Sequence, residues 1–268
     1  MSDAGPALER LLGIMAHLRD PEHGCPWDLQ QSFRTIVPHT LEEAYEVADA
    51  IERDALDELP GELGDLLFQV VFYAQLGREQ GLFDFAGITE AIADKIVRRH
   101  PHVFGDGGRT DSAGQRRTWE AIKATERAER AGRATSQMDD VPVALPALSR
   151  AEKLQRRAAR VGFDWTSREP VMGKVHEELA ELEAAAATGS RADVHEEMGD
   201  LLFACANLAR HLGVDAEQAL RDANGKFERR FRGLEAELAR QGASAEAVDF
   251  ERLESAYQVA KAADKDGE

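Results

Sequence analysis

Apolar residues recur along this chain at helical spacing, and no stretch shows the alternation of a strand. Leu8, Leu11, Leu12, Met15 and Leu18 lie on one face of a helix predicted over residues 6–19. Pro21 to Pro38 holds three prolines and Gly24-Cys25-Pro26-Trp27-Asp28, a composition that predicts a structured loop with Trp27 packed at a specific place. Thr40 then reads as a helix N-cap with Glu43 at capping-box spacing, and Leu41, Ala44, Tyr45, Val47, Ala48 and Ile51 supply a stripe running to Arg53. Asp57 and Pro60 announce the next helix. Between Gly61 and Leu76 it is apolar on nearly every side, which predicts burial in a bundle or an interface. Gly81 closes it, and a helix over 86–100 follows. Gly105 to Gly114 reads as a flexible connection, 115–131 as a charged helix, and Gly132 to Pro146 as a linker.

The second half repeats this plan. A helix over 147–160 leads into Gly162-Phe163-Asp164-Trp165, an echo of Gly24-Cys25-Pro26-Trp27. Helices over 170–187 and 191–212 are closed by Gly189 and Gly213, and two more are predicted over 215–240 and 245–262, the last carrying Tyr257. Glu43, Glu46, Glu62 and Asp65 recur as Glu178, Glu181, Glu197 and Asp200 at a constant offset of 135 residues, and Gly64-Asp65-Leu66-Leu67-Phe68 recurs as Gly199-Asp200-Leu201-Leu202-Phe203. The expectation is an all-α protein of two tandem helical domains with four-helix-bundle-type cores: 1–131, a linker at 132–146, and 147–268.

Charge narrows the partners. A formal charge of −17 on 268 residues sets up a field that repels polyanions, so no nucleic-acid partner is expected. A phosphate-bearing ligand would need divalent cations or a local basic cluster. No run approaches a membrane span, and Met1-Ser2-Asp3-Ala4-Gly5 lacks the order of a signal peptide, so a cytoplasmic address without membrane is expected. Cys25 and Cys205, without Cys or His neighbours at zinc spacing, read as reduced thiols.

The repeated acids carry the chemistry. Residues three apart share a helical face, so Glu178 with Glu181 and Glu197 with Asp200 would bring four carboxylates into one cleft between antiparallel helices. One such pair alone usually marks a solvated face, and Glu43 also suits its capping box. Two pairs per copy, on an unusually apolar helix, point instead to a hard divalent cation, Mg²⁺ with Mn²⁺ as a possible substitute. Lys226 and Arg230, like Lys95 and Arg99, share a face and could neutralise phosphates or form surface salt bridges. Glu42, Glu177 and Glu196 are candidates for a general base, whereas His100, His102, His176, His195 and His211 read as surface or loop residues. Two rivals are a di-iron oxidase, which requires a Glu-x-x-His pattern the chain lacks, and a non-catalytic nucleotide-binding or helical dimeric regulatory protein.

Glu42-Glu43-x-x-Glu46 with Glu62-x-x-Asp65, and Glu177-Glu178-x-x-Glu181 with Glu197-x-x-Asp200, resemble the EExxE and ExxD signature of the MazG nucleoside triphosphate pyrophosphohydrolases. Gly24-Cys25-Pro26-Trp27-Asp28, Arg99-His100-Pro101-His102-Val103-Phe104 and Gly162-Phe163-Asp164-Trp165 resemble the two-domain bacterial type. The resemblance implies a Mg²⁺-dependent, homodimeric hydrolase that cleaves nucleoside triphosphates, ATP among them, at the α–β bond to monophosphate and pyrophosphate. It implies metal ligation by Glu178, Glu181, Glu197 and Asp200, with Glu43, Glu46, Glu62 and Asp65 as the first-copy set. Glu177 and Glu178 become the catalytic acids, and Lys174, Glu177, Glu178, Asp200, Lys226 and Arg230 nucleotide contacts. Tyr257 stands where relatives carry a tryptophan against the base. The C-terminal copy is the one to which the resemblance assigns hydrolysis.

Overall fold

The computed structural model describes residues 4–105, 136–139 and 141–266, and every regular element among them is helical. The charged helix expected over 115–131 and nearly all of Gly105 to Gly114 lie outside the described residues. The chain divides into two compact units, Met1–Glu126 and Arg127–Glu268. No described helix is long and apolar enough to cross a membrane.

In the first unit, α1 (Ala4–Leu18) and α3 (Phe33–Glu52) pack on α4 (Leu59–Glu79), with short α2 (Pro26–Leu29) between them in sequence. Helix α5 (Phe85–Arg99) and one turn, α6 (Pro101–Phe104), follow. Met15, Ile36, Val71, Phe72 and Leu76 form the core. Thr40 Oγ1 lies 2.9 Å from the Tyr73 hydroxyl, and Gln69 Nε2 donates to Glu43 at 3.3 Å. Pairing 40 with 73 and 43 with 69 makes α3 and α4 antiparallel.

The start of α3 corrects the sequence reading. The helix begins seven residues before Thr40, with Ser32 as N-cap in a reciprocal box with Thr35, and Pro38 sits inside it. Proline loses only one helical hydrogen bond there, and Ser32 offers a better cap than Thr40, whose hydroxyl instead donates to the Ile36 carbonyl at 3.1 Å. Trp27 is 52% exposed, with its ring edge-on to His39. Helix α4 is buried through Gln69, Val71, Phe72, Ala74, Leu76 and Gly77, but Leu63 and Leu67 nearer its start are exposed. Its all-round apolar pattern is therefore satisfied within the chain over its C-terminal half only.

The second unit holds α7 (Ala147–Arg160), α8 (Arg168–Thr188), α9 (Arg191–Leu212), α10 (Ala216–Arg240) and α11 (Phe250–Asp266). Gly189 and Ser190 alone join α8 to α9, so the two form an antiparallel hairpin. Ser190 caps α9 in a reciprocal box with Asp193, and Gly213 ends it at φ 72, the left-handed conformation a side chain disfavours. The helix expected over 245–262 is instead a 3-10 turn, Ala245–Ala247, followed by α11. The break occurs because Asp249 accepts from the Arg252 N–H at 3.0 Å and restarts the helix there. Leu234, Leu238 and Ala256 form a core between α10 and α11. Within the expected linker, the carbonyls of Gln137 and Asp139 accept from Arg157 Nη1, and Val141 is buried.

Candidate active site

Glu178 lies midway along α8, and Glu197 and Asp200 lie one turn apart on α9. One carboxylate oxygen from each of these three falls within 4.8 Å of the others. Glu43 on α3 with Glu62 and Asp65 on α4 makes the same arrangement in the first unit. The structure thus groups three of the four repeated acids in each copy. Glu46 and Glu181 are exposed and outside the two triads, although their charges reach them.

Burial sets the electrostatics. Glu178 is 5% exposed, and Lys174 Nζ pairs with it at 2.6 Å and with exposed Glu177 at 2.7 Å. Those two carboxylates raise the Lys174 pKa and keep it charged. Burial, followed by the charges of Glu181, Asp200 and Glu178, pushes Glu197 above the usual carboxylate range. Glu43 is raised by burial and then by Glu46 and Asp65. Carboxylates so crowded favour a proton or a cation among them, and an all-oxygen donor set suits a hard divalent ion.

Glu178 and Asp200 of the second triad, with Lys174, Asp164 and Arg210, are the charged residues that line a cleft of about 320 Å³. Phe163, Trp165 and Phe203 contribute aromatic wall. A first-unit cleft, lined by Leu12, Met15, Val71 and Arg78 among others, includes none of Glu43, Glu62 and Asp65.

Lys226, Arg230 and Tyr257 do not line the cleft. Arg230 Nε pairs with Asp264 at 2.8 Å, Tyr257 packs its ring 6.2 Å from that of Phe227, and Lys226 is exposed. In the first unit, Lys95 and Arg99 lie on the half-buried side of α5.

Several cleft residues escaped the sequence reading. Arg210 binds Asp164 through Nη1 and Nη2 at 2.8 and 2.5 Å, and His211 Nε2 lies 2.9 Å from the same carboxylate. The Arg210 hydrogen bonds, with His211 adding to them, hold Asp164 down at about 2. This ties the Phe163–Trp165 segment to the end of α9, and it makes His211 a half-buried partner in the last turn of a helix where a surface or loop residue was expected. The repeated Gly-x-x-Trp was the available signal. Gln155 and Asn207 had none, each being a lone amide on an amphipathic helix.

Residues 31–104 match the family model described as the MazG nucleotide pyrophosphohydrolase domain, and residues 152–226 match that of phosphoribosyl-ATP pyrophosphohydrolase. The chain is 56% identical over 256 residues to a nucleoside triphosphate pyrophosphohydrolase of Escherichia coli, covering 95% of this chain and 97% of that one. It is 41% identical to the nucleoside triphosphate pyrophosphohydrolase/pyrophosphatase MazG of Thermotoga maritima, covering 99% of this chain and all of that one. An uncharacterized Bacillus subtilis protein, YabN, is 38% identical over 92% of this chain and half of its own length.

Proposed function

The chain belongs to the MazG family of nucleoside triphosphate pyrophosphohydrolases, and from that premise we propose that its second unit cleaves the α–β phosphate bond, giving nucleoside monophosphate and pyrophosphate. The observation that carries this is the acid triad Glu178, Glu197 and Asp200, of which Glu178 and Asp200 line a cleft of about 320 Å³. Glu178, Glu197 and Asp200, with Glu181 at the exposed edge, would hold Mg²⁺, for which Mn²⁺ can substitute. Such an ion, when bound, neutralises phosphate charge and acidifies water.

The remaining work falls to side chains. Glu177, exposed beside Lys174, takes the proton of the attacking water. Lys174, held charged by Glu177 and Glu178, would present that charge to the phosphates. Attack at the α-phosphorus breaks its bond to the bridging oxygen, and pyrophosphate leaves with that oxygen. Lys226, Arg230 and Tyr257, which do not line the cleft within one chain, contribute as nucleotide contacts in a homodimer. Exposed Met172, Leu179, Met198 and Leu202 on α8 and α9 support that assembly. A charge of −17 repels polyanions and so argues against nucleic acid as the substrate.

Product analysis with Mg²⁺ tests the reading. Pyrophosphate and monophosphate are expected in equal amounts, and release of orthophosphate with diphosphate would contradict it. Glu178→Gln and Asp200→Asn are expected to lower kcat/KM by about 100-fold or more. Glu43→Gln should keep most of the activity, and its near-complete loss would move the catalytic site to the first unit.

A further inference from the structure

The repeat makes each acid triad a control for the other. At the 135-residue offset that relates the acids, Gln69 of α4 corresponds to Ala204 of α9, Phe72 to Asn207, and His39 of α3 to Lys174 of α8. Ala204 and Asn207 stand one and two turns beyond Asp200 on the same helix, and both line the cleft. In the first unit the matching positions carry larger side chains with roles of their own. Gln69 is 6% exposed and its Nε2 reaches Glu43 at 3.3 Å, so its amide lies against the first triad. Phe72 is 1% exposed and packs in the core with Met15, Ile36, Val71 and Leu76. The basic neighbour differs as well. Lys174 contacts Glu177 and Glu178 at 2.7 and 2.6 Å, whereas His39 Nδ1 lies 3.7 Å from Glu42.

The acids are thus repeated, and their surroundings on α4 and α9 are not. Gln69 shows the reach of a long side chain at this position: it extends to the acid on the facing helix. In a close-packed site the same space cannot hold both that side chain and a ligand. We propose that Ala204 determines which triad takes a nucleotide, because its methyl group leaves room beside Glu178 and Asp200 that Gln69 fills beside Glu43. The inference rests on the reading that the second unit cleaves nucleoside triphosphates. It assigns to the cleft the portion of the nucleotide that adjoins the phosphates, and it leaves the base with Tyr257.

The first measurement needs no variant. Equilibrium binding, with Mg²⁺, uses the α,β-methylene analogue of whichever of ATP, GTP, CTP and UTP the chain cleaves best. One molecule per chain is expected, and two per chain overturn the proposal. Ala204→Met then supplies the length of a glutamine without its hydrogen bond to the acid. It should raise KM for pyrophosphate release by about tenfold or more and change kcat by less than about threefold, the pattern of lost binding room and not of a disturbed triad. Ala204→Val, intermediate in size, should fall between that variant and wild type, and it decides the question if Ala204→Met does not fold. An unchanged KM in the folded variants overturns the proposal, and so does a fall in kcat at constant KM. If the wild-type chain yields no pyrophosphate, or if Glu178→Gln yields as much as wild type, it is the parent reading of the site that fails.

Discussion

Asp164 shows how much one carboxylate can organise. Its side chain is 23% exposed, and it binds Arg210 and His211 together, so the aromatic segment of the cleft is fixed to α9 by an ion pair largely shielded from solvent. The Asp164 pKa is depressed from 3.8 to about 2, chiefly by Arg210. A carboxylate depressed in the folded state contributes stability that is fully present above 3.8 and is lost as pH falls toward 2. Asp164→Asn is therefore expected to destabilise the second unit by about 1–3 kcal/mol near neutrality. The gap to wild type should close as pH falls from 3.8 to 2, as read from unfolding midpoints across that range. At this scale the sequence was legible where residues repeat. The acids of each triad announce themselves by helical spacing and by recurring in both halves. Asp164, Arg210 and Gln155 do not, because the value of each depends on a partner 46 or 48 residues away that no local pattern can indicate.

Among the elements, helix positions follow from apolar periodicity and their ends from caps, so most boundaries were legible to within a few residues. Proline density was the misleading signal between residues 21 and 38. Pro26 occupies the first turn of α2 and Pro38 lies inside α3, so two of the three prolines sit in helices. Glycine spacing carries information of another kind. A Cβ on Gly77 of α4 would come within 2.6 Å of the Phe83 ring and 2.7 Å of its carbonyl oxygen, and the backbone there cannot yield as a side chain tip can. Gly77→Ala is expected to cost about 1–3 kcal/mol in denaturant unfolding of the first unit. Gly199 on α9 has no heavy atom within 4 Å of its would-be Cβ, so Gly199→Ala should be neutral or stabilising within one chain.

At the scale of the whole molecule, the two units share a plan but distribute their cores differently. In the first, Ile36, Val71, Phe72 and Leu76 put the largest buried side chains on the same helix pair that carries Glu43, Glu62 and Asp65. In the second, Leu234, Leu238 and Ala256 cluster between α10 and α11, whereas the acid-bearing pair buries only Val171, Glu178, Ala204, Ala206 and Asn207. In sequence only the helix over Gly61 to Leu76 reads as apolar nearly all round, and nothing in the periodicity of the second half marks α10 and α11 as the place of its core. This difference in core placement bears on how the units breathe. With less apolar surface sealed along α8 and α9, their amides should exchange with deuterated solvent sooner than those of α10 and α11, or of α4 in the first unit. Mg²⁺ and nucleotide together should slow α8 and α9 most, since a ligand bound to the closed hairpin must leave before the hairpin can open. Uniform protection across the second unit would contradict this. Faster exchange in α8 and α9, removed by ligand, would make the cleft a site whose rigidity arrives with its occupant.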